Sequence, residues 1–287
     1  MDRVKGTVIG LLHPGEMGAA VGRCLTGAGH EVLWASAGRG PDTAARAREA
    51  GLTDAGTVPQ LVAKTSVILS ICPPQAALDV AAAVRGFTGL YLDANAISPA
   101  TAGAVAELIT GSGGRYVDGG IIGLPPHEPG STRLYLSGTD AGQIQDLFAS
   151  TPLEPRIVAG SATAASAVKM AYASWTKGTA AMLLAARALA RAEGVEDALL
   201  SEWDISQPQL AGLSARSASA AVTKGWRWVA EMEEIAQSMA TAGLPDGFDR
   251  AAAEIFRRCP RMPGSPGGEV ALPAVMAALT VAPGQRR

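Results

Sequence analysis

A chain of 287 residues and 29.1 kDa can bury a substantial core, and two domains fit that length more comfortably than one. Residues AVILMFWYC make up 48% of it, charged residues 17%, and the formal net charge is −2; the 56 alanines and 34 glycines fill nearly a third of all positions. This balance excludes a disulfide scaffold, a charged disordered chain and a strongly basic nucleic-acid binder.

Residues 4–12 are a short apolar run with β-branched side chains and predict a strand. The turn HPGEMG follows, then an apolar helix over 17–27 and a second strand over 31–35. Helices over 42–49 and 58–63 fit the next crossover, and 67–72 is a third buried strand ending at Pro73-Pro74. A helix over 76–84 leads to a fourth strand over 91–94. Ser98-Pro99 opens a helix to Ile109, since proline is tolerated in a first helical turn. A fifth strand starts at Tyr116-Val117-Asp118 and a sixth covers 133–137. Such alternation, apolar without a period of two, argues a mostly parallel sheet covered on both faces: an α/β Rossmann-type N-terminal domain.

After about residue 160 the pattern turns all-helical. Residues 161–192 read as one long alanine-rich helix, followed by helices over 196–203, 208–220, 224–242, 248–258 and 272–279. Trp228, Met232, Ile235 and Met239 share one stripe, and Glu231, Glu233 and Glu234 are expected on a solvated face. Trp203, Trp226 and Trp228 read either as packing aromatics or as the lining of an apolar pocket. The expected division is 1–160, an NADP-binding domain, and 161–287, a helical substrate and dimerisation domain, with 283–287 a loose tail.

Cys24, Cys72 and Cys259 are scattered, without a CxxC pair, and only three histidines accompany them, so no metal is expected. The N-terminal MDRVKGTVIG lacks a secretory apolar region, and the run over 180–190 is too short to span a bilayer. The expectation is a cytoplasmic protein with neither membrane nor nucleic-acid partners.

The segment Gly10-Leu-Leu-His13-Pro14-Gly15-Glu16-Met17-Gly18 sits between a strand and a helix, where turn N–H groups and a helix N-terminus hold a dinucleotide diphosphate. Gly15 and Gly18 fill the last two positions of GxGxxG, and His13 stands where the first glycine belongs. Around His13 and Glu16 two readings stay open: contacts to the cofactor, or ordinary loop polarity. An NAD site normally offers an acid at the end of the second strand. This chain has Ser36 and Arg39 there and no acid until Asp42, which suits a 2′-phosphate, so NADPH is preferred over NADH.

With these residues assembled, the sequence resembles the 6-phosphogluconate dehydrogenase-like, or β-hydroxyacid dehydrogenase, superfamily, in a subgroup with a phosphogluconate dehydrogenase-like helical C-terminal domain. The resemblance covers essentially the whole chain. Its anchors are the turn ending Gly15-Glu-Met-Gly18, Ser70-Ile-Cys-Pro-Pro74, Asp93-Ala-Asn-Ala-Ile-Ser-Pro99, Val117-Asp-Gly-Gly-Ile-Ile-Gly123 and Ala167-Val-Lys169-Met. It implies that the loops around Cys72, Pro73, Pro74 and Asn95 hold the nicotinamide half. It also implies that Ile121, Ile122 and Gly123 occupy the substrate loop and that Lys169 is the acid/base residue. Ile122 stands where the family carries a substrate-binding serine, which points to a more apolar substrate. Tyr172 and Ala173 replace the asparagines that often follow the lysine.

Lys169, Tyr172, Ala173 and Thr176 fall at i, i+3, i+4 and i+7, on one helix face. On a face open to substrate, Lys169 donates a proton while Tyr172 assists and Thr176 contacts the substrate; the alternatives are a snorkelling lysine and a packing tyrosine. The function expected is NADPH-dependent hydride transfer to the carbonyl of a small, fairly apolar substrate. Imine reduction, or a non-catalytic NADP-binding sensor or assembly role, are the alternatives. The alanine-rich long helix permits close packing, and a homodimer is expected.

Overall fold

The computed structural model describes residues 7–262, 264 and 266–280, so Val4 and the 283–287 tail lie outside it. It divides into two units, Met1–Met170 and Ala171–Arg287.

The first unit alternates strand and helix: β1 Val8–Leu12, α1 Glu16–Gly27, β2 Glu31–Trp34, α2 Pro41–Glu49, β3 Thr53–Asp54, α3 Val58–Val62 and β4 Val67–Ser70. There follow α4 Ala77–Ala83, β5 Leu90–Asp93, α5 Pro99–Thr110, β6 Arg115–Gly123, β7 Thr132–Ser137, α6 Ala141–Leu147 and β8 Leu153–Ile157. Among the described residues the strands form one sheet in the order β3-β2-β1-β4-β5-β6-β7-β8. Only β6 and β7 pair antiparallel. The strand order reverses between β1 and β4, and in such sheets the crevice beyond the strand ends at that point takes ligands.

The continuous apolar runs reflect burial on both faces. Ile9, Leu11, Val32, Trp34, Leu69 and Leu92 pack on one side, and Leu33, Ile68, Tyr91 and Ile97 on the other. Helix entry follows local chemistry. Thr57 and Gln60 form a capping box on α3, and Ser98 accepts from the Thr101 N–H (3.1 Å) ahead of Pro99.

Three elements carried no readable signal. β3 is two residues long, α6 is a short helix, and β8 carries Pro155. Among the described residues that strand pairs with β7 alone, so a missing N–H is tolerated there.

The second unit begins inside α7, Ala164–Ala192, and continues with α8 Glu196–Ser206, α9 Leu210–Thr241, α10 Gly247–Arg258 and α11 Gly268–Thr280. The helices expected over 208–220 and 224–242 are one uninterrupted α9. Its β-branched Val222 is buried, so tertiary packing overrides the local weakness there. Trp228 meets Phe256 edge to face at 5.0 Å. Glu231 departs from the solvated face expected for it. It is buried and ion-paired with Lys177, whose ammonium also lies 5.8 Å from the Trp228 ring. The α9 stripe facing the other helices includes position 231, and a cation from α7 makes a carboxylate tolerable there.

Candidate functional site

The turn after β1 shows why His13 is unusual. Its φ is +67°, a conformation glycine adopts without strain, so the backbone keeps the glycine-like turn while adding an imidazole. The Gly15 N–H donates to the His13 carbonyl (2.8 Å). A Cβ on Gly18 would lie 2.4 Å from that same carbonyl, so α1 comes this close to the turn only with glycine there. Gly15 faces open space, and no side chain caps the N-terminus of α1. Glu16 and Met17 are the first residues of that helix. Gly10 lies mid-strand in β1, where a Cβ would strike the Leu61 side chain at 2.5 Å.

Burial holds the His13 imidazole neutral, lowering its pKa to about 4, with the Arg39 charge adding to the effect; its Nδ1 is buried without a hydrogen-bond partner. Arg39 follows Ser36 in the loop after β2, and its N–H donates to the Ser36 carbonyl (3.0 Å). Two residues at this point had no sequence signal. Arg46 of α2 donates from Nε to the Pro14 carbonyl (3.4 Å), bringing a second guanidinium to the turn. Asp54, ending β3, is held below the ordinary carboxylate range by the Gly56 N–H (2.7 Å) and by Ser36. Parallel pairing of β2 with β3 sets Asp54 beside the end of β2, an adjacency that linear order hides.

Across the switch point, β4 and β5 end in a buried polar knot. Asn95 accepts from the Cys72 N–H through Oδ1 (2.6 Å) and donates from Nδ2 to the Ser70 hydroxyl (3.1 Å). Its own N–H donates to Asp93 Oδ1 (2.9 Å). Both ends of the Asn95 side chain are thus used in tying the two loops together. Pro73 and Pro74 lead into a short 3-10 turn. Burial pushes the Cys72 thiol up to about 12, which leaves it a neutral group. Asp93 is fully enclosed, and burial raises its carboxyl to about 7, with the Asp118 charge adding to the rise.

Asp118 locks the start of α7. Its Oδ2 accepts from the Ser166 N–H (2.7 Å) and the Ser137 hydroxyl (3.1 Å), and its Oδ1 accepts from the Ser166 hydroxyl (2.5 Å). Ser137 in turn accepts from the Ala165 N–H (3.0 Å). A carboxylate on these N-terminal donors also meets the positive end of the helix. Gly120 lets α7 approach β6: a Cβ there would lie 2.8 Å from the Ala165 carbonyl and 2.9 Å from the Lys169 Cβ. Lys169 therefore sits one turn into a helix whose start is fixed in three ways.

Ile121, Ile122 and Gly123 lie in the β6–β7 ladder, opposite Leu134, Arg133 and Thr132. They are strand residues where a loop was expected, because the antiparallel return of β7 extends β6 through them. Ile121 joins the core and Ile122 is buried. Tyr172 and Thr176 follow on α7 in the second unit. Tyr172 is 46% exposed, and Thr176 donates to the Tyr172 carbonyl (3.1 Å). Among the described residues no cluster of His, Cys, Asp or Glu could hold a metal ion, and no helix is long and apolar enough to cross a membrane.

Known proteins share this architecture. A 3-hydroxyisobutyrate dehydrogenase from Mycobacterium tuberculosis superposes with a TM-score of 0.67 at 18% identity, over 96% of this chain and 99% of that one. The fold is one that 3-hydroxyisobutyrate dehydrogenases share. A conserved hypothetical protein from Sinorhizobium meliloti 1021 superposes at 0.70 with 22% identity, over 96% and 98% of the two chains. Reductive aminase from Aspergillus terreus, in complex with NADPH, shares the fold at 0.55 and 22% identity, over 88% and 93%. An uncharacterized 28.5 kDa protein from Methanothermus fervidus is 29% identical over 172 residues, 59% of this chain and 66% of that protein's length. Residues 190–259 match the family described as Domain of unknown function (DUF1932).

Proposed function

We propose that the chain is an NADPH-dependent oxidoreductase acting on the carbonyl of a small, fairly apolar substrate. The observation that carries this reading is the fixed start of α7, which holds Lys169 in the same unit as the dinucleotide turn. The cofactor's fit rests on the open face of Gly15, the uncapped α1 and the orphaned His13 Nδ1. When bound, the nicotinamide supplies hydride.

The chain's own residues do the rest. Gly15 and the first N–H groups of α1 take the diphosphate, with His13, Pro14, Glu16 and Met17 around it. Ser36, Arg39 and Arg46 take the 2′-phosphate. Cys72, Pro73 and Pro74 flank the nicotinamide half, in a loop that Asn95 holds in place. Lys169 protonates the oxygen that gains negative charge, and Tyr172 assists. Cytoplasmic location and a homodimer belong to the same reading. Trp175, Met182 and Leu189 recur at seven-residue intervals along α7 and are 73%, 55% and 64% exposed, an apolar stripe suited to a second copy of this chain.

Two observations favour neighbouring readings. Ile122, in place of a hydroxyl, suits an imine as well as a ketone. Asp54 beside Ser36 offers a carboxylate that would accept a hydrogen bond from a ribose 2′-hydroxyl of NADH. Steady-state NADPH oxidation with a panel of ketones, keto acids and imines tests the proposal. Lys169→Ala is expected to leave NADPH affinity within about twofold and to lower kcat by 10²-fold or more. Unchanged turnover in that variant contradicts the role of Lys169. Preferential loss of NADPH over NADH affinity is expected in Arg39→Ala, and equal loss contradicts the 2′-phosphate assignment.

A further inference from the structure

His13 occupies a glycine position in a glycine conformation, and the turn would form as readily without its side chain. What the imidazole adds is a buried nitrogen without a partner, at the end of β1 beside the uncapped α1. A buried polar atom left unsatisfied is costly, so an orphan beside a binding crevice marks a bond that a ligand completes. The charged groups close to it are Arg39 from the loop after β2, Arg46 on the carbonyl of the adjacent Pro14, and Glu16 at the start of α1. Burial and the Arg39 guanidinium disfavour a charge on His13.

Resting on the cofactor reading above, we propose that His13 charges when the dinucleotide binds and donates a hydrogen bond to one of its phosphate oxygens, so that cofactor binding takes up a proton. Without ligand, partial burial and the Arg39 guanidinium hold the imidazole neutral. A phosphate brings two to three negative oxygens to the same place. It neutralises Arg39 and gives Nδ1 an acceptor, and each change favours the imidazolium. The proton comes from solvent, and no bond other than N–H is made or broken. Affinity for the cofactor is then expected to rise as pH falls, by up to tenfold per pH unit in the range where free His13 is neutral and bound His13 is charged.

Isothermal titration of NADPH and of NADH into the full chain at about pH 5.5, in buffers of different ionisation enthalpy, reads the protons exchanged. The comparison variant is His13→Gly, which suits a φ of +67°. Wild type is expected to take up a large fraction of a proton per NADPH, and His13→Gly markedly less. Greater uptake with NADPH than with NADH identifies the 2′-phosphate as the source, and equal uptake the diphosphate; either supports the proposal. Cofactor binding with the same net proton exchange in wild type and His13→Gly overturns the role of His13 and leaves the cofactor reading standing. Absence of binding by both dinucleotides overturns that reading, and the proposal with it.

Discussion

Asp93 and Gly120 show how much of this molecule turns on single atoms. A carboxyl whose pKa is raised by folding binds its proton more tightly in the folded chain than in the unfolded one. Between the ordinary value of 3.8 and about 7, folded protein keeps a proton that the unfolded chain has released. Stability therefore falls as pH rises through that window, and above it Asp93 is a buried charge. Asp93→Asn keeps an acceptor for the Asn95 N–H and removes the charge. Its Tm is expected to exceed wild type by a few degrees at pH 8 and to lose that advantage near pH 4. A pH-independent difference in paired melting curves contradicts the assignment. At Gly120, an added methyl would overlap the Ala165 carbonyl and the Lys169 Cβ. Gly120→Ala is expected to cost about 1–3 kcal/mol in urea unfolding and to lower kcat by shifting Lys169. A variant with wild-type stability and turnover would show that α7 does not need this close approach.

At the scale of elements, the start of α7 is the decisive piece. Asp118 alone accepts from Ser166 twice and from Ser137 once. Asp118→Ala leaves these donors buried without an acceptor. It is expected to destabilise the first unit by about 2–4 kcal/mol, with Asp118→Asn intermediate. Thermal melts of the three proteins order themselves accordingly, and an alanine variant as stable as wild type contradicts the cap. The helix itself was legible in the sequence as an alanine-rich run, and so was the β1–turn–α1 unit, because apolar runs and glycine turns report local geometry. The cap was not. Asp118 and Ser166 lie on different elements, and only the sheet register and the glycine contact at 120 bring them together. Arg46 and Asp54 went unread for the same reason, as pairing of β1, β2 and β3 sets their positions. The 121–123 stretch was misplaced as a loop because its apolar sequence does not reveal the antiparallel partner that makes it strand. Glu231 read as solvated because its countercharge comes from another helix.

For the whole molecule, low charge content and abundant small residues take on particular roles. Glycine permits the close approaches at positions 10, 18 and 120, and alanine fills much of α7. The stripe of Trp175, Met182 and Leu189 is expected to be covered by a second copy. Trp175→Glu with Met182→Glu is expected to convert a dimer to a monomer in sedimentation velocity, and a monomeric wild type contradicts that expectation. The central claim, a dinucleotide at the β1–β4 switch point with Lys169 as proton donor, is tested most directly by a crystal structure with NADPH bound. The diphosphate is expected at Gly15, the 2′-phosphate against Arg39 and Arg46, and the Lys169 amine facing the region of the nicotinamide C4. A dinucleotide bound elsewhere, or a Lys169 amine remote from that carbon, would contradict it.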